Sequence, residues 1–172
     1  MQPLVNTSPS LVFEDLVREY KEKLYWHIRR MVLSHDDADD VLQNTFIKVY
    51  KNLPNFKGDS HIYTWLYRIA TNESLTFLKK RARRLQISDE TLQQNMVNNL
   101  ESDPYFDGDE ARLKLQRAIA TLPEKQKQVF LLRYYEELPY AEMSEMLEVS
   151  EGSLKASYHH AVKKITHFIK ED

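Results

Sequence analysis

The sequence predicts an all-α protein: two small helical domains joined by an acidic linker, the second containing a helix-turn-helix. Three observations predict it. Glycine occurs only 3 times in 172 residues, too few for the turns of a β-sandwich or the phosphate loops of a nucleotide-binding α/β fold. Apolar residues recur at the three-and-four spacing of amphipathic helices on both sides of residues 86–110. Charge is segregated along the chain: within a formal total of −2, residues 10–85 carry +4, residues 86–110 carry −7 with no Lys or Arg, and residues 111–172 carry +1.

Taken in order, Ser10 is a plausible N-cap, and Phe13, Leu16, Val17, Tyr20, Leu24, Ile28, Met31 and Val32 then follow helical spacing. Ser34-His35-Asp36 breaks that helix and caps the next. Ala38, Val41, Leu42, Phe46, Val49 and Leu53 mark a second helix, stopped by Pro54. Asn55-Phe56-Lys57-Gly58-Asp59-Ser60 is loop chemistry with Gly58 as the turn residue. A third helix turns Ile62, Leu66, Ile69 and Ala70 inward and runs into Lys79-Lys80-Arg81-Ala82-Arg83-Arg84.

Residues 86–110, rich in Asn, Gln and Asp, read as a linker with at most a short helical turn. Beyond them, Leu113 to Leu122 is one helix, Pro123 opens another as its first residue, and Tyr140 to Leu147 is a short third. Glu148-Val149-Ser150 is a tight turn, with Ser150 as cap and Glu151 at the positive end of a fourth helix. In this unit Ala141, Met143 and Leu147 are expected to face Val149, Leu154 and Tyr158. Where glycine is usual in such turns stands Glu148, which in a left-handed conformation costs about 1 kcal/mol.

Hydrophobic residues at 42% and charged residues at 29% are a globular composition rather than a disordered one. The chain has no cysteine, which excludes disulfides, thiolate chemistry and zinc fingers. No apolar run is long enough to cross a bilayer, and the N-terminal MQPLVNTSPS lacks the apolar centre of a secretory signal. A soluble intracellular protein is expected. There is no HExxH, Walker loop, Gly-x-Ser-x-Gly or paired carboxylate at ligand spacing, so neither catalysis, a metal nor a cofactor is expected.

Four constellations remain. A helix-turn-helix over 139–166 presents the start of its second helix to the DNA major groove, with Ser153, Lys155, Ala156, Ser157, His159 and His160 toward the bases and Lys163 and Lys164 near phosphates. Tyr63, Trp65, Tyr67 and Arg68, with Asn72 on the same helix and Phe56 and Lys57 before it, could stack unpaired bases beside a cationic rim, or pack as ordinary core. Lys79 to Arg84 would bind phosphate, or cap a helix C-terminus. Asp36, Asp37, Asp39 and Asp40 suit a helix N-terminus, but Asp40, Gln43 and Asn44 carry the polar strip further and suggest a basic protein partner.

These segments, in this order, resemble the small extracytoplasmic-function (ECF) sigma factors of bacterial RNA polymerase. The resemblance rests on Asp39-Asp40-Val41-Leu42-Gln43-Asn44-Thr45-Phe46, on Phe56-Lys57-Gly58-Asp59-Ser60, and on the run Tyr63 to Asn72. In the second domain it rests on Leu122-Pro123, Val129-Phe130, Leu132-Arg133, Tyr140-Ala141-Glu142-Met143 and Glu151-Gly152-Ser153-Leu154-Lys155. It implies a transcription initiation factor, not an enzyme, with core RNA polymerase (its β′ and β subunits) and double- and single-stranded promoter DNA as partners. It also implies an anti-sigma factor, no small-molecule substrate, and a cytoplasmic location, held at the membrane only through that anti-sigma factor.

By the same resemblance, 10–85 is the region 2-like domain, docking on polymerase through Asp39, Asp40, Gln43, Asn44 and Phe46. It opens and holds the minus-ten element through Asn55, Phe56, Lys57, Tyr63, Trp65, Tyr67, Arg68, Asn72, Lys79 and Arg81. The 111–172 domain reads the minus-thirty-five element through Ser153, Lys155, Ala156, Ser157, His159, His160 and Lys163, and the acidic linker threads polymerase channels. Ser157, His160 and Val162 stand where the family often carries arginine, the usual partner of guanine edges, so its promoter sequence is expected to differ. The competing reading is a stand-alone dimeric helix-turn-helix regulator, which would bind its operator tightly without polymerase.

Overall fold

The computed structural model describes residues 9–171, with side-chain surroundings from Val12 onward. Among these residues there are eight α-helices and no strand: α1 (Pro9–Val32), α2 (His35–Asn52), α3 (Ile62–Leu85), α4 (Asp89–Leu100), α5 (Glu110–Ala120), α6 (Glu124–Phe130), α7 (Tyr140–Leu147) and α8 (Glu151–Glu171). None is long and apolar enough to cross a membrane. Helix α1 begins at Pro9; the proposed cap Ser10 has no described side chain.

Local chemistry sets the boundaries. Leu33 turns left-handed (φ 59) and ends α1; the Ser34 hydroxyl then accepts from the Asp37 N–H at 3.4 Å and starts α2. A 3₁₀ turn, Leu53–Asn55, carries Pro54 and closes α2. Gly58 at φ 77 lets the 55–60 loop reverse, at a dihedral where a Cβ would be strained. Pro123 sits one residue before α6, at its cap position.

Helices α1, α2 and α3 form a first lobe around Leu24, Ile28, Val41, Val49 and Leu66, all buried. Helices α5 to α8 form a second around Leu132, Met143, Leu154 and Ala161. The two lobes touch: α7 packs on α3, and the apolar cluster continues from one lobe into the other.

The acidic stretch departs from expectation. Instead of at most one turn it contains the 12-residue α4, which packs on α3 and α5. Leu92, Val97 and Leu100 supply a narrow buried stripe, and the Ser88 hydroxyl accepts from the Thr91 N–H at 3.1 Å. Three apolar residues among Asn and Gln are a weak periodic signal; the neighbouring helices complete the burial. Three of its seven carboxylates, Glu101, Asp103 and Asp109, have partners within the chain. Asp89 and Glu90 lie in the first turn of α4, Asp103 bonds Arg29 at 2.9 Å, Glu101 lies 3.6 Å from Arg117, and Asp109 caps α5.

His27, 1% exposed, lies where the lobes meet and bonds the Thr71 hydroxyl at 2.8 Å. Burial, and secondarily Arg30, push its imidazole down to about 3. The unfolded chain would bind a proton near pH 6.5 while the folded one stays neutral. This contribution to stability is therefore complete above about pH 6.5 and is lost as pH falls toward 3. Glu136 beside it, raised by burial, works in the opposite sense. The melting temperature is expected to fall between about pH 7 and pH 5, and His27→Gln, which keeps a partner for Thr71, should flatten that fall; parallel profiles would refute this assignment.

Candidate nucleic-acid and polymerase interfaces

Helix α2 turns its polar strip outward. Asp39, Asp40, Gln43 and Asn44 are exposed, while Ala38, Val41, Leu42, Thr45 and Val49 face inward. Phe46 is half-buried against Phe13, ring centroids 6.2 Å apart and edge-on. The strip continues into two residues absent from the expected docking set, Ile47 (51% exposed) and Tyr50 (55%). Their signal was present: Ile47 and Tyr50 extend the i, i+3/i+4 row from Gln43 and Phe46. An apolar patch of this kind beside carboxylates fits a protein partner better than water.

The aromatic run of α3 divides between two faces. Trp65 and Asn72 fall on one side, seven residues or about two turns apart. Trp65 meets Phe56 of the loop, ring centroids 5.0 Å apart, and Asn72, Asn55 and Lys57 are exposed. Tyr63 and Tyr67 lie on the other side, against the second lobe. The Tyr63 hydroxyl donates to the Glu142 carboxylate, and burial followed by that carboxylate push it up to about 12. The Tyr67 hydroxyl donates to Glu136 at 2.7 Å; burial first, then Glu136, raise it far above the usual phenol range. Arg68 donates to the Glu145 carbonyl at 2.7 Å. The single platform read from three aromatics in five residues is thus two surfaces, because a 100° step per residue separates Trp65 from Tyr63 and Tyr67.

The basic run at the end of α3 is also divided. Arg81 pairs with Asp37 of α2, and Lys79 lies 3.9 Å from Glu124. Lys80, Arg83 and Arg84 are exposed, at the helix end where the dipole favours cations. Arg81 is therefore tied to an internal carboxylate, and the exposed phosphate-binding candidates are its neighbours.

In the second lobe, α7, the turn and α8 form the expected helix-turn-helix. Ser150 accepts from the Ser153 N–H at 3.2 Å. Met143, Leu154, Ala161 and Ile165 are buried, but Met146 fills the inner position given above to Ala141, which is exposed. Met146 lies at i+3 from Met143, on the buried face. On α8, Ser153, Lys155, Ala156, His159, His160 and Lys163 are exposed and Ser157 is half-buried, all outside the Leu154–Ala161–Ile165 stripe. The Lys155 ammonium lies 5.7 Å from the Tyr140 ring centroid.

Glu148 adopts the left-handed conformation (φ 56). Glu148→Gly is accordingly expected to stabilise the second lobe by about 1 kcal/mol, read as a higher denaturation midpoint; an unchanged or lower midpoint would show that the turn bears no strain. Among the described residues there is no group of His, Asp or Glu able to hold a metal ion.

The chain thus joins a helical lobe that bears an exposed polar-apolar strip and an aromatic loop to a helix-turn-helix lobe. Family comparison agrees segment by segment: residues 16–84 match sigma-70 region 2 and residues 112–165 match sigma-70 region 4. The chain belongs to the ECF RNA polymerase sigma factors, transcription initiation factors that direct RNA polymerase to promoters. It is 34% identical over 152 residues to the RNA polymerase sigma-H factor of Pseudomonas aeruginosa, covering 84% of this chain and 79% of that one. It is 32% identical over 155 residues to the ECF sigma factor SigW of Bacillus subtilis, covering 86% and 83%. Its fold is similar to that of CnrH, solved with the cytosolic domain of CnrY (TM-score 0.70, 22% identity, covering 95% and 90%). It is also similar to that of the sigma factor RpoE solved with the anti-sigma factor NepR from Bartonella quintana (TM-score 0.72, 19% identity, covering 93% and 98%).

Proposed function

We propose that the first lobe, residues 10–85, docks on the β′ subunit of core RNA polymerase through Asp39, Asp40, Gln43, Asn44 and Phe46, with Ile47 and Tyr50 extending the contact. The 55–60 loop and α3 capture the melted minus-ten strand: Asn55, Phe56, Lys57, Trp65 and Asn72 from the exposed side, Tyr63, Tyr67 and Arg68 from the side that meets the second lobe. Lys79 adds charge at the end of α3, and Arg81 holds α3 to α2. The second lobe, residues 111–172, reads the minus-thirty-five duplex with Ser153, Lys155, Ala156, Ser157, His159, His160 and Lys163. The protein itself catalyses no reaction. It works in the cytoplasm and is restrained by an anti-sigma factor, as the similarly folded RpoE of Bartonella quintana is bound by NepR.

The observation that carries this reading is the pairing, in one chain, of an outward α8 reading face with an outward α2 strip whose chemistry suits protein rather than DNA. A stand-alone operator-binding protein has no use for the second. The weak net positive charge of each lobe, +4 and +1, also offers few phosphate contacts to the unaided protein. Tight promoter binding then comes from mounting both lobes on polymerase, an effective-concentration effect.

The test is transcription in vitro with bacterial core polymerase and a genomic template library, followed by alignment of sequences upstream of the starts. Two shared elements at fixed spacing are expected. Transcripts independent of the protein, or tight specific duplex binding without polymerase, would overturn the reading. Trp65→Ala gives a finer test: holoenzyme should still bind duplex but open it poorly, and equal opening by both proteins would remove Trp65 from strand capture.

A further inference from the structure

The contact between the lobes is chemically one-sided. On α3 and its approach every group is a donor: the hydroxyls of Tyr63, Thr64 and Tyr67 and the guanidinium of Arg68, with the His61 imidazole beside them. Arg30 of α1 joins them, 2.9 Å from Glu136. On the second lobe every group is an oxygen acceptor: the Glu136 and Glu142 carboxylates and the Glu145 carbonyl. Glu142 gathers Tyr63, Thr64 at 3.5 Å and His61 at 3.5 Å. Glu136 gathers Tyr67 at 2.7 Å and Arg30 at 2.9 Å. Donors arranged to take oxygen anions are the equipment of a strand-binding surface, and phosphate and base-edge oxygens would compete for them.

The covering is selective. Tyr67 is 4% exposed and Tyr63 half-buried, whereas the α2 strip and the reading face of α8 remain open. The placement of Glu136 is also local in origin. After α6 the chain continues as a π-helical turn, Leu131–Tyr135, which buries Leu131 and Leu132 and delivers Glu136 at its end onto α1 and α3. Such turns are rare and concentrate at functional positions.

We propose that Glu136 and Glu142 form an intramolecular latch: in the free protein they occupy the oxygen sites of the strand-capture face of α3, and the melted promoter strand and the latch exclude one another. This rests on the assignment of α3 to strand capture. It differs from weak binding through low charge, because here the donors exist and are already taken. Glu136 is only 10% exposed at its side chain, and burial raises it despite Tyr67 and Arg30. Polymerase opens the latch by holding the lobes apart.

The test uses the full chain. It contains no cysteine, so Lys51→Cys and Lys170→Cys, both exposed, place one spin label in each lobe. The probe is a fluorescent single-stranded oligonucleotide carrying the non-template strand of a promoter mapped as above. E136A/E142A is expected to lengthen and broaden the inter-label distance and to bind the probe roughly 10-fold more tightly, the factor by which the competent population would rise. Adding Tyr63→Ala should remove the gain. E137A/E145A, with the same change of charge on exposed side chains and the Glu145 carbonyl intact, should show none.

Saturating probe should also lengthen the distance in the labelled chain without these substitutions, so a double variant that fails to fold leaves the proposal testable. Unchanged probe affinity in a folded E136A/E142A, an equal gain in E137A/E145A, or bound probe with an unmoved distance overturns the latch. If promoter-specific transcription with core polymerase persists in that case, the sigma-factor reading stands and only the latch falls; absence of any association with core overturns that reading instead.

Discussion

Arginine at both Asp40 and Asn44 is expected to abolish association with core RNA polymerase, a loss of at least about 100-fold, on the scale of a central interface residue. Both side chains are exposed on α2, and neither is bonded to another side chain among the described residues. The fold should therefore be almost indifferent, with a stability change within about 0.5 kcal/mol. Large loss of binding with unchanged stability separates an interface from a structural role. Asp40 lies one turn from Asn44, so the two substitutions turn the middle of the strip cationic. Pull-down of core enzyme and the thermal unfolding midpoint, measured on the same preparation, check both halves. Retained association would move the polymerase contact elsewhere on the first lobe.

Leu154→Ala should have the largest effect on stability. Leu154 is 1% exposed in α8 and belongs to the same apolar cluster as Met143 of α7, which is fully buried. Removing it leaves a cavity that a small lobe cannot close, at a cost of roughly 3 kcal/mol. For a marginally stable chain that is a sizeable part of the total. The measurable result is a lower denaturation midpoint together with loss of protection over the minus-thirty-five segment in the polymerase complex. Leu154→Met, which nearly conserves volume, should cost less than about 1.5 kcal/mol and keep that protection. Equal behaviour of the two variants would show that α8 is not held by this contact.

The elements themselves were legible because their signals are local. The cap at Ser34, the stop at Pro54, the left-handed Glu148 and the Ser150 cap each depend on a few neighbouring dihedrals and one side chain. The exposed α2 strip and the exposed face of α8 follow from helical spacing, since a residue off the apolar stripe of a half-buried helix points to solvent. Helix α4 escaped because its stripe is three residues wide among polar ones, and its burial comes from α3 and α5. Met146 escaped because a short amphipathic helix has room for more than one inward register.

Helical spacing and the charge pattern along the chain predict two helical parts, an acidic stretch between them and the polar side of each helix. Which of those polar groups meet is settled by tertiary packing. Glu136 and Glu142 are ordinary surface glutamates in sequence, and Tyr67 lies 69 residues from its partner. Helical periodicity says which side of α3 an aromatic ring occupies. It does not say what faces that side, because pairing across the lobes depends on how the whole chain closes over the π-turn and α7.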